Sequence, residues 1–119
     1  MAHVKFVTEA AAELRALEGS ARKKVLAKLV QLESRPEMGH PLGARAAGNL
    51  TSFRKAVVGK NTYRIVYRLG PDDELLVVWV VSGRSDGECY KVAAQRLAQY
   101  GDHPQVADLT EVLRSLQRG

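Results

Sequence analysis

The sequence predicts an α+β domain: a helical hairpin laid on a small, mainly antiparallel sheet, with helices again at the C-terminal end. Three observations carry this. Two segments with helical apolar spacing follow a short β-leaning start. Three strand-like runs then follow one another, joined by the short turns Gly59-Lys60-Asn61 and Gly70-Pro71-Asp72-Asp73. Two further amphipathic segments close the chain, giving the order β-α-α-β-β-β-α-α.

The elements justify themselves in turn. His3 to Val7 is short and apolar at Val4, Phe6 and Val7. Thr8 reads as an N-cap with Glu9 in the first turn, where a carboxylate suits the helix dipole. The helix runs to about Leu17 with Ala10, Ala11, Leu14 and Leu17 on one stripe. Glu18-Gly19-Ser20 breaks it, and Ser20 is placed to cap a second helix. That helix carries Val25, Leu26, Leu29, Val30 and Leu32 on one side and Arg22, Lys23, Lys24 and Lys28 on the other.

Arg35 to Asn49 contains Pro36, Gly39, Pro41, Gly43 and Gly48 and reads as a loop. Strands are expected over about Thr51 to Val58, Thr62 to Leu69 and Glu74 to Val81, forming an antiparallel meander. Leu75 to Val81 has no polar alternation, so it is an interior strand covered on both faces. A helix follows from about Gly87 to Tyr100, then one more amphipathic segment over 104–118. There is no repeat or linker. The expectation is one domain over 1–119, with its core in 4–100 and an extra C-terminal helix in 104–118.

A chain of 119 residues is long enough for a single core. Its net charge of +5 favours an anionic partner such as RNA, DNA or an acidic protein. Cys89 is the only cysteine, so no internal disulfide can form, which suits a reducing cytoplasm. The start has no basic region followed by an apolar signal stretch, and no apolar run reaches the roughly 20 residues a bilayer span needs. The chain reads as cytoplasmic, with no membrane role.

The charge is unevenly spread. From Met38 to Pro71 there is no Asp or Glu, while Arg45, Arg54, Lys55, Lys60, Arg64 and Arg68 all fall there. Such a stretch over two paired strands makes one sheet face electropositive and attractive to phosphates. Basic residues at strand edges also serve solubility and discourage edge pairing. Parity sharpens the choice. A two-residue turn at Lys60-Asn61 opposes Val57 to Arg64 and Lys55 to Val66. Lys55, Arg64 and Arg68 then share a face, and Tyr63, Ile65 and Tyr67 point the other way, toward the helices. A one-residue slip would put Arg54 beside Arg64 instead, so Arg54 and Lys55 are rivals for one place.

Ser82-Gly83-Arg84-Ser85-Asp86-Gly87-Glu88-Cys89-Tyr90 reads as a strand end turning into a helix. Arg84 is either an exposed turn residue or a second phosphate ligand. Tyr90 lies on the stripe of Ala93 and Leu97, so it is either a core tyrosine or a ring on which a base stacks. His3, His40, His103 and Cys89 lack metal-ligand spacing. There is no phosphate-binding glycine loop and no Ser-His-Asp arrangement. No metal or cofactor is expected.

The order and spacing of several phrases resemble the RelE/ParE superfamily of bacterial type II toxins, on the RelE side. They are the hairpin ending at Leu32-Glu33-Ser34-Arg35-Pro36, the loop Gly39-His40-Pro41-Leu42-Gly43, Phe53-Arg54-Lys55, Tyr63-Arg64-Ile65-Val66-Tyr67, and Gly83-Arg84 followed by Cys89-Tyr90. The resemblance implies a microbial-ribonuclease-like fold in a bacterial or archaeal cytoplasm. It also implies metal-independent cleavage of mRNA on the ribosome, by attack of a ribose 2′-hydroxyl on the adjacent phosphate.

Carried over by position, the resemblance makes Arg64 the residue that stabilises phosphate charge and Arg84 a proton donor or second clamp. Arginine is a poor acid, so the clamp is the better physical reading. Tyr90 would orient a base. Lys55 would be the general base if desolvation beside arginines lowers its pKa, with Lys60 as fallback. Arg45, Arg54, Lys60 and Arg68 would contact RNA phosphates. The family pattern of two alternating lysines is broken here by adjacent Arg54-Lys55 and by Val57. Implied partners are a cognate antitoxin, the ribosome with its mRNA, and operator DNA bound by a larger toxin–antitoxin oligomer. Two alternatives stay open: a ParE-like toxin that inhibits DNA gyrase by binding, and an inactive partner-binding relative.

Overall fold

The computed structural model describes residues 2–45, 48–60, 62–70 and 74–117, with the side chains of Arg45 and Gln117 left aside. The expected turn residues Asn61, Pro71, Asp72 and Asp73, and Arg118 at the end of the last segment, lie outside the described residues.

Strand β1 (His3–Val7) passes directly into helix α1 (Thr8–Ala16), and α2 (Gly19–Ser34) completes the hairpin. A 3₁₀ turn at Pro36–Met38 leads into β2 (His40–Arg45), β3 (Gly48–Val58), β4 (Tyr63–Leu69) and β5 (Leu75–Ser82). Helix α3 (Asp86–Tyr100), strand β6 (Val106–Asp108) and helix α4 (Leu109–Gln117) end the chain. The six strands form one mixed sheet in the order β2-β3-β4-β5-β1-β6. No helix among the described residues is long and apolar enough to cross a membrane.

The α+β expectation holds, and so does the meander. β3 pairs antiparallel with β4 in the expected register, Val57 opposite Arg64 and Lys55 opposite Val66. β5 pairs with β4 on one side and, in parallel, with β1 on the other. Being interior, it buries Leu76, Val78, Trp79, Val80 and Val81, which explains its lack of alternation.

Five local expectations are corrected. Thr8 is the first helical residue, not the cap, because β1 stays extended through buried Val7 and no side chain caps the helix. Glu18, not Ser20, caps α2: its carboxylate accepts from the backbone N–H of Ser20 (2.8 Å) and Ala21 (3.3 Å). A carboxylate there neutralises two orphan donors with a full charge, and the hydrogen bond from the Ser20 hydroxyl, followed by these two backbone bonds, lowers the Glu18 pKa. Val30 is 59% exposed rather than part of the buried stripe, which is Ala21, Val25, Leu29 and Leu32.

The fourth correction is the largest. The Pro- and Gly-rich segment expected to be a loop contains β2, paired with β3 along the sheet edge. An edge strand tolerates Pro41, which has no N–H to donate, and a register shift between Pro41 and Gly43 absorbs the irregularity. The same physics splits the last segment. Val106 to Asp108 form a strand antiparallel to β1, which would otherwise be an open edge. Only then does α4 begin, burying Val112.

α1 and α2 pack against β1, β3 and β5, and α3 lies across β3, β4 and β5. The core joins Phe6, Leu14, Leu29, Leu32, Phe53, Tyr67 and Trp79. Phe53 and Trp79 meet edge-to-face with centroids 5.3 Å apart. The β1–β5 register runs as far as Phe6 opposite Val78. Beyond that point the N–H of Val81 donates to Glu13, and Arg96 donates to both Glu13 and the carbonyl of Trp79. One ion pair thus ties α1 and α3 to the sheet where the parallel strand ends.

Candidate phosphate site at the start of the third helix

The site is set by alternation on β3 and β4. Lys55 opposes Val66 and Arg64 opposes Val57, so the two cations share a face. The turn after β5 brings the first residue of α3 onto that face. Asp86 bridges the pair: Lys55 Nζ lies 2.9 Å from Oδ2 and Arg64 Nε 2.5 Å from Oδ1. The side chains of Lys55 and Arg64 are only 15% and 16% exposed, while that of Asp86 is 43% exposed.

Backbone groups hold the rest. Arg64 Nη1 donates to the carbonyl of Arg84 (2.9 Å), and the Cys89 thiol faces the same oxygen at 3.7 Å. The N–H of Arg84 donates to Ser82 Oγ. Ser85 caps α3, its hydroxyl accepting from the N–H of Glu88. The helix start therefore presents partial positive charge beside one guanidinium, that of Arg64, and one ammonium, that of Lys55. Outside the helix's own backbone and the flanking residues, no atom stands within 4 Å of where a side chain on Gly87 would begin, so no other element packs on that side of the helix start.

The electrostatics reverse one expectation. Lys55 has its pKa raised, first by the hydrogen bond to Asp86 and further by Tyr90, against the opposing pull of burial. The expected lowering needed a lysine surrounded only by cations; Asp86 removes that condition. In return, hydrogen bonds from Lys55 and then Arg64 lower the Asp86 pKa. Cys89 is fully buried and its thiol pKa is raised, chiefly by desolvation.

The remaining candidates separate by place. Tyr90 is 8% exposed, its ring in the core cluster, and it interacts with Lys55. The Arg84 side chain is 71% exposed at the rim, 3.5 Å from Glu88. Arg54 is not the rival that parity left open. It lies on the opposite face, where Nη1 donates to the carbonyls of Glu37 (3.0 Å) and Gly39 (2.8 Å). Tyr67 is on that face too, donating to the carbonyl of Pro36 and accepting from the N–H of Gly39. Arg68 shares the face of Arg64 but stands four residues, about 13 Å, along the strand. There it pairs with Asp102 at 2.8 Å and covers the Phe53 ring. Lys60 is exposed in the turn, and the Arg45 side chain lies outside the described residues.

Asp86 is the site residue that sequence reasoning passed over. Its signal was present: it is the first carboxylate after Arg84, at the position where the strand end turns into a helix. Among the described residues no group of three or more His, Cys, Asp or Glu is placed to hold a metal ion.

Comparison with known proteins gives a consistent picture. Residues 4–87 match the family model for the ParE toxin of type II toxin–antitoxin systems. The chain is similar to an E. coli RelE toxin carrying two arginine-to-alanine substitutions, in the free state, at 25% identity. That match covers 82% of this chain and 99% of the other with a TM-score of 0.64. It is similar to the RelBE2 toxin–antitoxin complex of Mycobacterium tuberculosis at 28% identity, over 70% of this chain and 98% of the other, TM-score 0.59. The isolated E. coli RelE toxin shares the fold at 22% identity, with 82% and 99% covered and a TM-score of 0.60. No curated protein matches.

Proposed function

Because the chain belongs to the ParE toxin family within the RelE/ParE superfamily of type II toxins, we propose that it is a ribosome-dependent mRNA endoribonuclease neutralised by a cognate antitoxin. The supporting observation is the convergence of Lys55 and Arg64 on a single anionic group at the start of α3. A carboxylate held by two cations beside a helix N-terminus marks a place that suits a phosphate oxygen pair.

The chemistry runs without a metal. The ribose 2′-hydroxyl gives its proton to water and attacks the adjacent phosphorus, the P–O5′ bond breaks to leave a 2′,3′-cyclic phosphate, and the departing 5′-oxygen takes a proton from water, so negative charge builds on the equatorial oxygens in between. Arg64 meets that charge with its guanidinium. Lys55 is held protonated, so it serves as a second cation at the phosphate rather than as the base that takes the 2′-hydroxyl proton. Arg84, exposed at the rim, closes on the phosphate from the solvent side. Tyr90 interacts with Lys55 and helps fix its position. Arg68, Lys60 and Arg45 would meet RNA farther from the reacting phosphate, while Arg54, on the opposite face, holds the 3₁₀ turn instead. Antitoxin binding, mRNA and the ribosome as targets, and operator DNA are parts of this proposal.

The family match itself favours a second reading, a toxin that inhibits DNA gyrase by binding. One experiment separates them: add the protein to a ribosome-based translation system and map mRNA 5′ ends. Cuts clustered at codons in the ribosomal A site are expected. Intact mRNA at a dose that arrests growth would end the nuclease reading, and gyrase-linked DNA breaks at that dose would establish the second.

A further inference from the structure

We propose that Asp86 is a built-in stand-in for the substrate phosphate: its carboxylate occupies the anion position between Lys55 and Arg64, and a phosphodiester must displace it to bind. The proposal deepens the reading above, resting on it only for the identity of the site.

Four observations carry it. The two Asp86 oxygens divide between the two cations, Oδ2 to Lys55 and Oδ1 to Arg64, as two non-bridging phosphate oxygens would. The cations are nearly buried and Asp86 is not, so the carboxylate is the member with room to leave. Asp86 is the first residue of α3, whose positive end favours an anion whether it is the carboxylate or a phosphate. Next to Asp86, no atom outside the helix's own backbone and the flanking residues lies within 4 Å of where a Gly87 side chain would begin, so this surface of the helix start is not packed against another element.

The exchange has a clear electrostatic sense. With Asp86 in place, one carboxylate charge offsets the two cations, which lowers their pull on a weakly matched anion. A phosphodiester presented in register, with contacts elsewhere along its chain, can outcompete it; a free phosphate does so poorly. Asp86 thereby stops the empty site from scavenging cellular anions.

The test uses inorganic phosphate as probe on the full chain, at constant ionic strength, by calorimetry and by the rise in melting temperature with phosphate. Asp86→Asn is expected to bind phosphate about 10-fold tighter than the natural chain, from loss of one like charge at contact distance. Adding Lys55→Ala to that variant should cancel the gain. Equal or weaker binding by Asp86→Asn, and by Asp86→Ala as a second variant, would overturn the proposal, as would a gain that survives Lys55→Ala. Because binding is read without ribosomes, the two ideas fail separately. Tighter binding with no mRNA cleavage by the natural chain leaves the stand-in and removes the nuclease. Cleavage with no gain in Asp86→Asn does the reverse.

Discussion

Arg54 and Lys55 are consecutive on β3, yet they are bound on opposite faces of the sheet. Arg54 donates to the carbonyls of Glu37 and Gly39 behind the 3₁₀ turn, and Lys55 reaches Asp86 on the face covered by α3. A strand alternates, so neighbours in sequence cannot share a site. We predict that the two substitutions separate. Arg54→Ala should lower stability by about 1–2 kcal/mol through lost charge-assisted bonds, with mRNA cleavage kept. Lys55→Ala should change stability by less than about 1 kcal/mol, since its partner is partly exposed, and reduce cleavage roughly 100-fold. Urea denaturation and end mapping read the two effects; the opposite pattern would refute the placement.

The Lys55–Asp86 pair makes stability depend on pH in a fixed sense. The Asp86 pKa is lowered in the fold, so its contribution is full above the ordinary aspartate range and is lost as pH falls through the lowered value. The Lys55 pKa is raised, so its contribution is full below the ordinary lysine value and is lost as pH rises through the raised one. The natural chain should therefore exceed Asp86→Asn in stability across neutral pH, with the gap closing on the acid side. Denaturation in phosphate-free buffers over a pH series checks this. A gap that stays constant into acid would show that the carboxylate charge is not what matters.

Gly39 is required for space, not for backbone freedom. Its φ of −72° suits any residue. A Cβ there would press on the Tyr67 hydroxyl and lie 2.9 Å from the carbonyl of Lys55. We expect Gly39→Ala to cost about 1–3 kcal/mol by overpacking and to disturb the bonds among Gly39, Tyr67 and Arg54. An unchanged melting curve would argue against so close an approach.

Cys89 is fully buried, with its thiol pKa raised by desolvation. The thiolate is the reactive form, so both effects protect it. An uncharged alkylating reagent should modify the folded chain at least ~100-fold more slowly than the urea-unfolded chain at the same pH. Mass spectrometry over time measures the ratio. Equal rates would mean that the start of α3 opens readily, and the site with it.

Local pattern encodes much of this fold. Alternation and the turn at Gly59 and Lys60 set the β3–β4 register, down to Val57 opposite Arg64. Helical spacing placed α1, α2 and α3, and the unbroken apolar run marked β5 as interior. Tertiary structure alone decided which irregular segments would be drawn into the sheet. β2 and β6 have too few residues of strand character to declare themselves, but open edges of β3 and β1 supply hydrogen-bonding groups that they satisfy. It also decided the chemistry of Lys55. The carboxylate that raises its pKa lies 31 residues away, and a charge pair formed by strand order and a turn has no periodicity to read.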